Sequence, residues 1–226
     1  MASWLRLSVD VEGEKIMNPS QVHVSGNVCS RILWIYGLTT LLSNTAYLIG
    51  YYWLPEGFMR SSLQTAGGQV VMTAQSFWGQ FGLILLFNLG VTAVISVVLN
   101  FNQIKGIPAG YLYPLFIAVS GGLIAGTNSF LASDLTQYNV YDGHAMALSI
   151  GNLESLGFIF IIAATVKYGV YQYRSGWRWS GEYKPVKVMN LRDVRLAKPE
   201  IICLVIGILL IILGAYRETL MAFNML

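Results

Sequence analysis

GHAMALSIGNLESLGFIFIIAATVKYGVY, residues 143–171, decides how this chain is read. The run is long enough, at ~1.5 Å per residue, to cross a bilayer as a helix. It holds one carboxylate, Glu154, about three turns from its start. An acid at mid-bilayer costs roughly 2.5–3.5 kcal/mol on insertion scales, so Glu154 is expected to face protein or water rather than lipid. The segment that follows, 172–198, is basic and aromatic. It carries Arg174, Arg178, Lys184, Lys187, Arg192, Arg195 and Lys198, with Trp177, Trp179 and Tyr183 interleaved.

The rest of the chain agrees with a membrane reading. Of its 226 residues, 55% are hydrophobic and only 11% charged. Soluble domains carry about a quarter charged residues, so a soluble class is excluded. The length leaves no room for a separate globular catalytic domain. Four more apolar runs stand at 29–53, 77–100, 108–131 and 200–223. The expected fold is therefore all-α: a polytopic bundle of five transmembrane helices in 28–226, behind a polar arm, 1–27. That arm holds Asp10, Glu12, Glu14 and Lys15 and lacks the apolar core of a signal peptide. The first membrane helix is then its own targeting signal, and the expected location is the cell membrane, multi-pass.

Orientation follows from Lys and Arg. The basic 172–198 loop is placed in the cytoplasm. The 132–142 loop, with Asp134 and Asp142 and no Lys or Arg, is placed outside. Working back, the Lys105 loop is inside, 54–75 is outside, and the N-terminus is inside with Arg6, Lys15 and Arg31. The C-terminus falls outside. Within 54–75, Gly67 and Gly68 are expected to break the chain before a short amphipathic helix.

Polar residues inside apolar helices are the candidates for function. They are Glu154, Asn88, Asn128, Asn152, Arg217 and Glu218. Glu154 lies ~15 Å from the outer start of its run, and Arg217 and Glu218 ~10 Å from the outer end of theirs, so Glu154 and Arg217 are expected to meet. The asparagines serve as interhelical hydrogen-bonding groups or line a polar cavity. Gly121, Gly122 and Gly126 form a close-packing face, as do Gly79, Gly82 and Gly90. In the basic loop, Arg174, Trp177, Arg178, Trp179, Lys184, Lys187, Arg192 and Arg195 suit contact with anionic lipid or a partner. His23, His144, Cys29 and Cys203 stand at no metal-ligand spacing. No nucleophile–base constellation, phosphate-binding loop or nucleic-acid patch is present in the sequence, so no metal, cofactor or catalytic residue is assigned.

LLFNLGV around Asn88, IPAGYLYPL leading into a glycine-rich helix, NLESLGFIFIIAAT around Glu154, and GAYRETLMAF near the C-terminus together resemble the stage II sporulation protein M family over residues 76–223. Many of its members place a histidine one turn before the glutamate; Ile150 stands there in this chain. The resemblance implies an α-helical membrane scaffold without catalysis of its own, acting beside cell-wall-degrading enzymes in a membrane complex. The expected function is a non-enzymatic scaffold or subunit of a larger membrane assembly, homo- or hetero-oligomeric, with lipid and other membrane proteins as partners. Two alternatives stand beside it. One is a transporter or channel component using the intramembrane Glu154. The other is an accessory subunit of a membrane enzyme complex.

Overall fold

A computed structural model describes residues 27–104, 106–129, 140–141, 151–174 and 184–223. The polar arm before residue 27, His144, Trp177, Arg178 and Trp179 lie outside the described residues. Among those described, four helices are long and apolar enough to cross a membrane: α1 (Val28–Trp53), α3 (Phe77–Leu99), α4 (Ala109–Gly126) and α6 (Lys198–Ala222). Two shorter helices join them, α2 (Leu63–Met72) and α5 (Asn152–Thr165), the latter extended by a 3-10 turn at Val166–Tyr168.

Local chemistry sets the helix ends. Asn27 accepts a hydrogen bond from the Cys29 N–H at 3.0 Å and starts α1. Ser62 and Ser76 cap α2 and α3 in the same way, accepting from Thr65 and Gly79. Pro55 follows α1 and prevents its continuation. The expected break at Gly67 and Gly68 does not occur, since α2 runs through both. Its Ser62 cap, worth about 1 kcal/mol, offsets part of a glycine cost of about 1 kcal/mol each.

The 143–171 run is not one helix. Gly151 takes a left-handed conformation at φ +73°, and α5 starts after it at Asn152. Residues 142–150 lie outside the described residues. Glu154 therefore sits in the first turn of α5, not three turns in.

α5 is the axis of the bundle. Nine of its 14 residues are buried, and Ile162, Ala163 and Ala164 are completely enclosed. Small residues set how closely the other helices approach. α1 and α4 run parallel and touch at Gly50, Gly122 and Gly126; a Cβ on Gly50 would lie 3.2 Å from the Leu123 carbonyl oxygen. α5 and α6 run antiparallel across Gly157, Gly207 and Gly214; a Cβ on Gly207 would lie 2.8 Å from the Gly157 carbonyl oxygen. α3 packs on the outside and turns Trp78, Leu86, Val91, Val94 and Val98 outward. Its centre, Leu86–Ala93, widens into a π-helix.

The all-α expectation needs one amendment. A four-stranded sheet of order β2-β1-β3-β4 closes one end of the bundle. Its strands are β1 (Asn102–Ile104), β2 (Ile107–Pro108), β3 (Tyr171–Arg174) and β4 (Lys184–Lys187). β1 and β3 pair in parallel, because α3 and α5 both end there, and each strand is paired on its other side by an antiparallel neighbour. α1, α4 and α6 begin at this same end. Strands of two to four residues carry too little alternation to be read from sequence.

Candidate functional site

Three polar assemblies stand out, at different depths. The first is Glu154. It is 5% exposed and points from α5 onto α6, where a Cβ on Gly214 would overlap its carboxyl group. Gly214, Arg217 and Glu218 recur at helical spacing and so share one face of α6. Glu154 Oε1 has no hydrogen-bond partner among the described residues.

The second assembly lies at the sheet end and was not singled out from the sequence. Arg31, only 3% exposed, donates from Nη1 to the Ala163 carbonyl at 3.1 Å and to Glu200 Oε1 at 3.3 Å. Lys167 Nζ reaches the same Glu200 oxygen at 2.8 Å. Glu200 Oε2 accepts the Ala197 N–H at 2.9 Å, closing the first turn of α6 behind Pro199. One carboxylate thus joins the starts of α1 and α6 to the end of α5. Nearby, the fully buried Asn100 donates to the Ile162 carbonyl at 3.1 Å and to Thr165 Oγ1 at 2.8 Å, tying α3 to α5. The sequence signal was present in part: a Pro–Glu pair opening an apolar run reads as a helix start. That its carboxylate reaches Arg31, 169 positions away, is not readable from spacing.

The third assembly is a cavity of about 300 Å³ between α1, α4 and α5. Tyr36, Thr40, Ser43 and Asn44 of α1 face it, with Gln64, Asn152 and Ser155, and none of the described residues that line it is charged. Glu154, Asn88 and Asn128 do not line it. It lies on the face of α5 opposite the one that carries Glu154.

The other sequence candidates fall as follows. Asn88 is half-buried inside the π-helix. Asn152 is exposed at the start of α5. Asn128 lies beyond the end of α4 at φ 48°, and its Nδ2 donates to Glu56 Oε1 at 2.7 Å. It holds the 55–60 loop, whose Gly57 and Met59 N–H groups bond to the Thr127 carbonyl and Ser129 Oγ. Asn128 thus serves the helix end. Gly122 and Gly126 pack on α1, whereas Gly121 is open to Gln64. Gly82 meets nothing within 4 Å, and Gly79 and Gly90 meet only side chains of their own segment. Lys187, Arg192 and Arg195 are exposed at the sheet end, and Arg174 pairs with Lys184 across β3 and β4. Among the described residues no cluster of His, Cys, Asp and Glu could hold a metal ion. Cys29 and Cys203 are free thiols.

No family model, curated protein or solved structure matches this chain.

Proposed function

We propose that this protein is a non-enzymatic scaffold or subunit of a membrane assembly, crossing the membrane five times with its N-terminus inside and its C-terminus outside. The seat of Glu154 carries the reading. The carboxyl group is closed between α5 and α6 against Gly214, and the polar cavity lies on the other face of α5. A transport path built on Glu154 needs an aqueous approach to it, whereas a scaffold needs only a well-seated helix pair. The resemblance to the stage II sporulation protein M family points the same way. In support of the fifth span, α5 with its 3-10 turn rises about 27 Å, close to the ~30 Å hydrocarbon core. Helix directions alternate along the chain as five spans require, and Lys and Arg gather at the sheet end, which this reading places in the cytoplasm.

The test is a mild-detergent pull-down of the tagged native protein, with particle mass and partner identity read together. Stoichiometric partner subunits are expected, and Glu154→Gln is expected to retain them. If those partners are enzymes, the chain is an accessory subunit of their complex. A partner-free homo-oligomer whose solute or ion flux disappears in Glu154→Gln would overturn the scaffold reading. The second reading, a transporter or channel component, is favoured by the cavity between α1, α4 and α5, whose described lining residues are polar or apolar but uncharged. A path there would run past Asn44 and Ser155, so Asn44→Leu rather than Glu154→Gln would be the variant that stops flux.

A further inference from the structure

At the sheet end the two helices α3 and α5 finish side by side. The Phe101 carbonyl accepts from both the Val170 and Tyr171 N–H groups, at 2.8 and 2.9 Å. The Val170 carbonyl accepts from Val188 N–H at 2.8 Å, which fixes the segment after β4 on the same spot. Phe101 also packs its ring on Tyr168 at 5.9 Å. The result is a firm floor of Phe101 and Val170 beneath a cleft of about 540 Å³. Leu191 adds an apolar wall, and Lys187 and Arg192 place two cations at it. The cleft also holds Asp193, whose Oδ2 accepts from Asn190 Nδ2 at 3.1 Å and is thereby engaged within its own 3-10 turn.

We propose that this cleft is a binding site for the phosphate headgroup of an anionic phospholipid. Its depth is right, because the spanning helices α3 and α6 end and begin beside it, at headgroup level. The apolar surface is right as well. Tyr171 and Leu191, both in its lining, are at least 40% exposed, an arrangement suited to glycerol and upper acyl carbons rather than water. The charge is complementary: among the described lining residues, Lys187 and Arg192 exceed Asp193 by one positive charge. Arg supplies a bidentate fork for phosphate oxygens and Lys a point charge. This inference rests on the membrane reading but not on the scaffold proposal, since it needs no partner protein.

The experiment is native mass spectrometry of the full-length protein released from nanodiscs containing phosphatidylglycerol and phosphatidylcholine. Wild type is expected to retain phosphatidylglycerol preferentially. The Lys187→Gln/Arg192→Gln double variant is expected to lose roughly 30-fold in that preference. A control with equal loss of charge outside the cleft, Arg195→Gln/Lys198→Gln, is expected to lose much less. Swapping the cations, Lys187→Arg/Arg192→Lys, should retain most of the preference and shows that the fold is intact. Equal losses in the cleft and control variants would overturn the site in favour of diffuse surface charge. Displacement of the retained lipid by inorganic phosphate, with equal affinity for both, would overturn the lipid as its ligand.

Discussion

Glu200→Gln is expected to cost about 3–5 kcal/mol, the usual consequence of removing one partner from a buried ion pair. Arg31 is 3% exposed, and its guanidinium, 3.3 Å from Glu200 Oε1, would then face a neutral amide in place of that carboxylate. The loss would be felt by three helices at once. α1 would lose its link to α6, α5 would lose the Lys167 contact, and α6 would lose part of its first-turn cap. Cys203 supplies the readout, because it is buried one turn from Glu200 and should react with a thiol probe only on unfolding. In a Cys29→Ala background the labelling midpoint on heating should fall by several degrees or more. Lys167→Met should do far less, because Lys167 is 42% exposed and its ion pair is screened. The double variant Arg31→Met/Glu200→Leu should recover much of the loss, since it removes both buried charges together. An unchanged midpoint in Glu200→Gln would show that the triad does not hold the sheet end together.

Gly157→Leu is expected to be nearly as damaging, by a different mechanism. A Cβ there would lie 2.7 Å from the Gly207 carbonyl oxygen and would press into the Ile211 side chain. The neighbour is backbone and cannot rotate away, so α5 and α6 must separate. That separation opens a core in which Ile211, Ala215 and Ile162 are fully enclosed. The cost should reach or exceed the ~1–3 kcal/mol usual for overpacking. Gly82→Leu on the outer face of α3 is the matched comparison. Nothing lies within 4 Å of Gly82, so its effect on stability should stay within about 0.5 kcal/mol. The same contrast separates fold from assembly. Filling Gly122 would break the packing of α1 on α4 and would report on the fold. Only a variant such as Gly82→Leu can reveal a partner docked on α3 without harming the chain itself.

These two effects also mark where reading from sequence stops. Gly122 and Gly126 were legible as a close-packing face, but their partner was not. It is Gly50 with Tyr47 of α1, inside the same chain. Gly157, Gly207 and Gly214 escaped notice because they lie on separate helices, or seven residues apart on one, and form a surface only when α5 crosses α6. Asn128 counts among the polar residues inside apolar helices because the apolar run continues to Leu131. The helix in fact ends at Gly126, and Asn128 turns to bond Glu56.

What the sequence determined by itself is local and additive. Long apolar runs with few charges specify membrane-spanning helices, because hydrophobic length is counted residue by residue along one segment. The basic character of 172–198 and the misfit of Glu154 with lipid are readable on the same ground. The tertiary structure decided what depends on two segments at once. It set the Arg31–Glu200 pair, the seat of Glu154 on Gly214, the start of α5 after Gly151, and a sheet whose short strands pair because two helices end together. In a membrane bundle the hydrophobic term is nearly indifferent to which helix faces which. Close packing of small residues and a few buried polar contacts then make that choice.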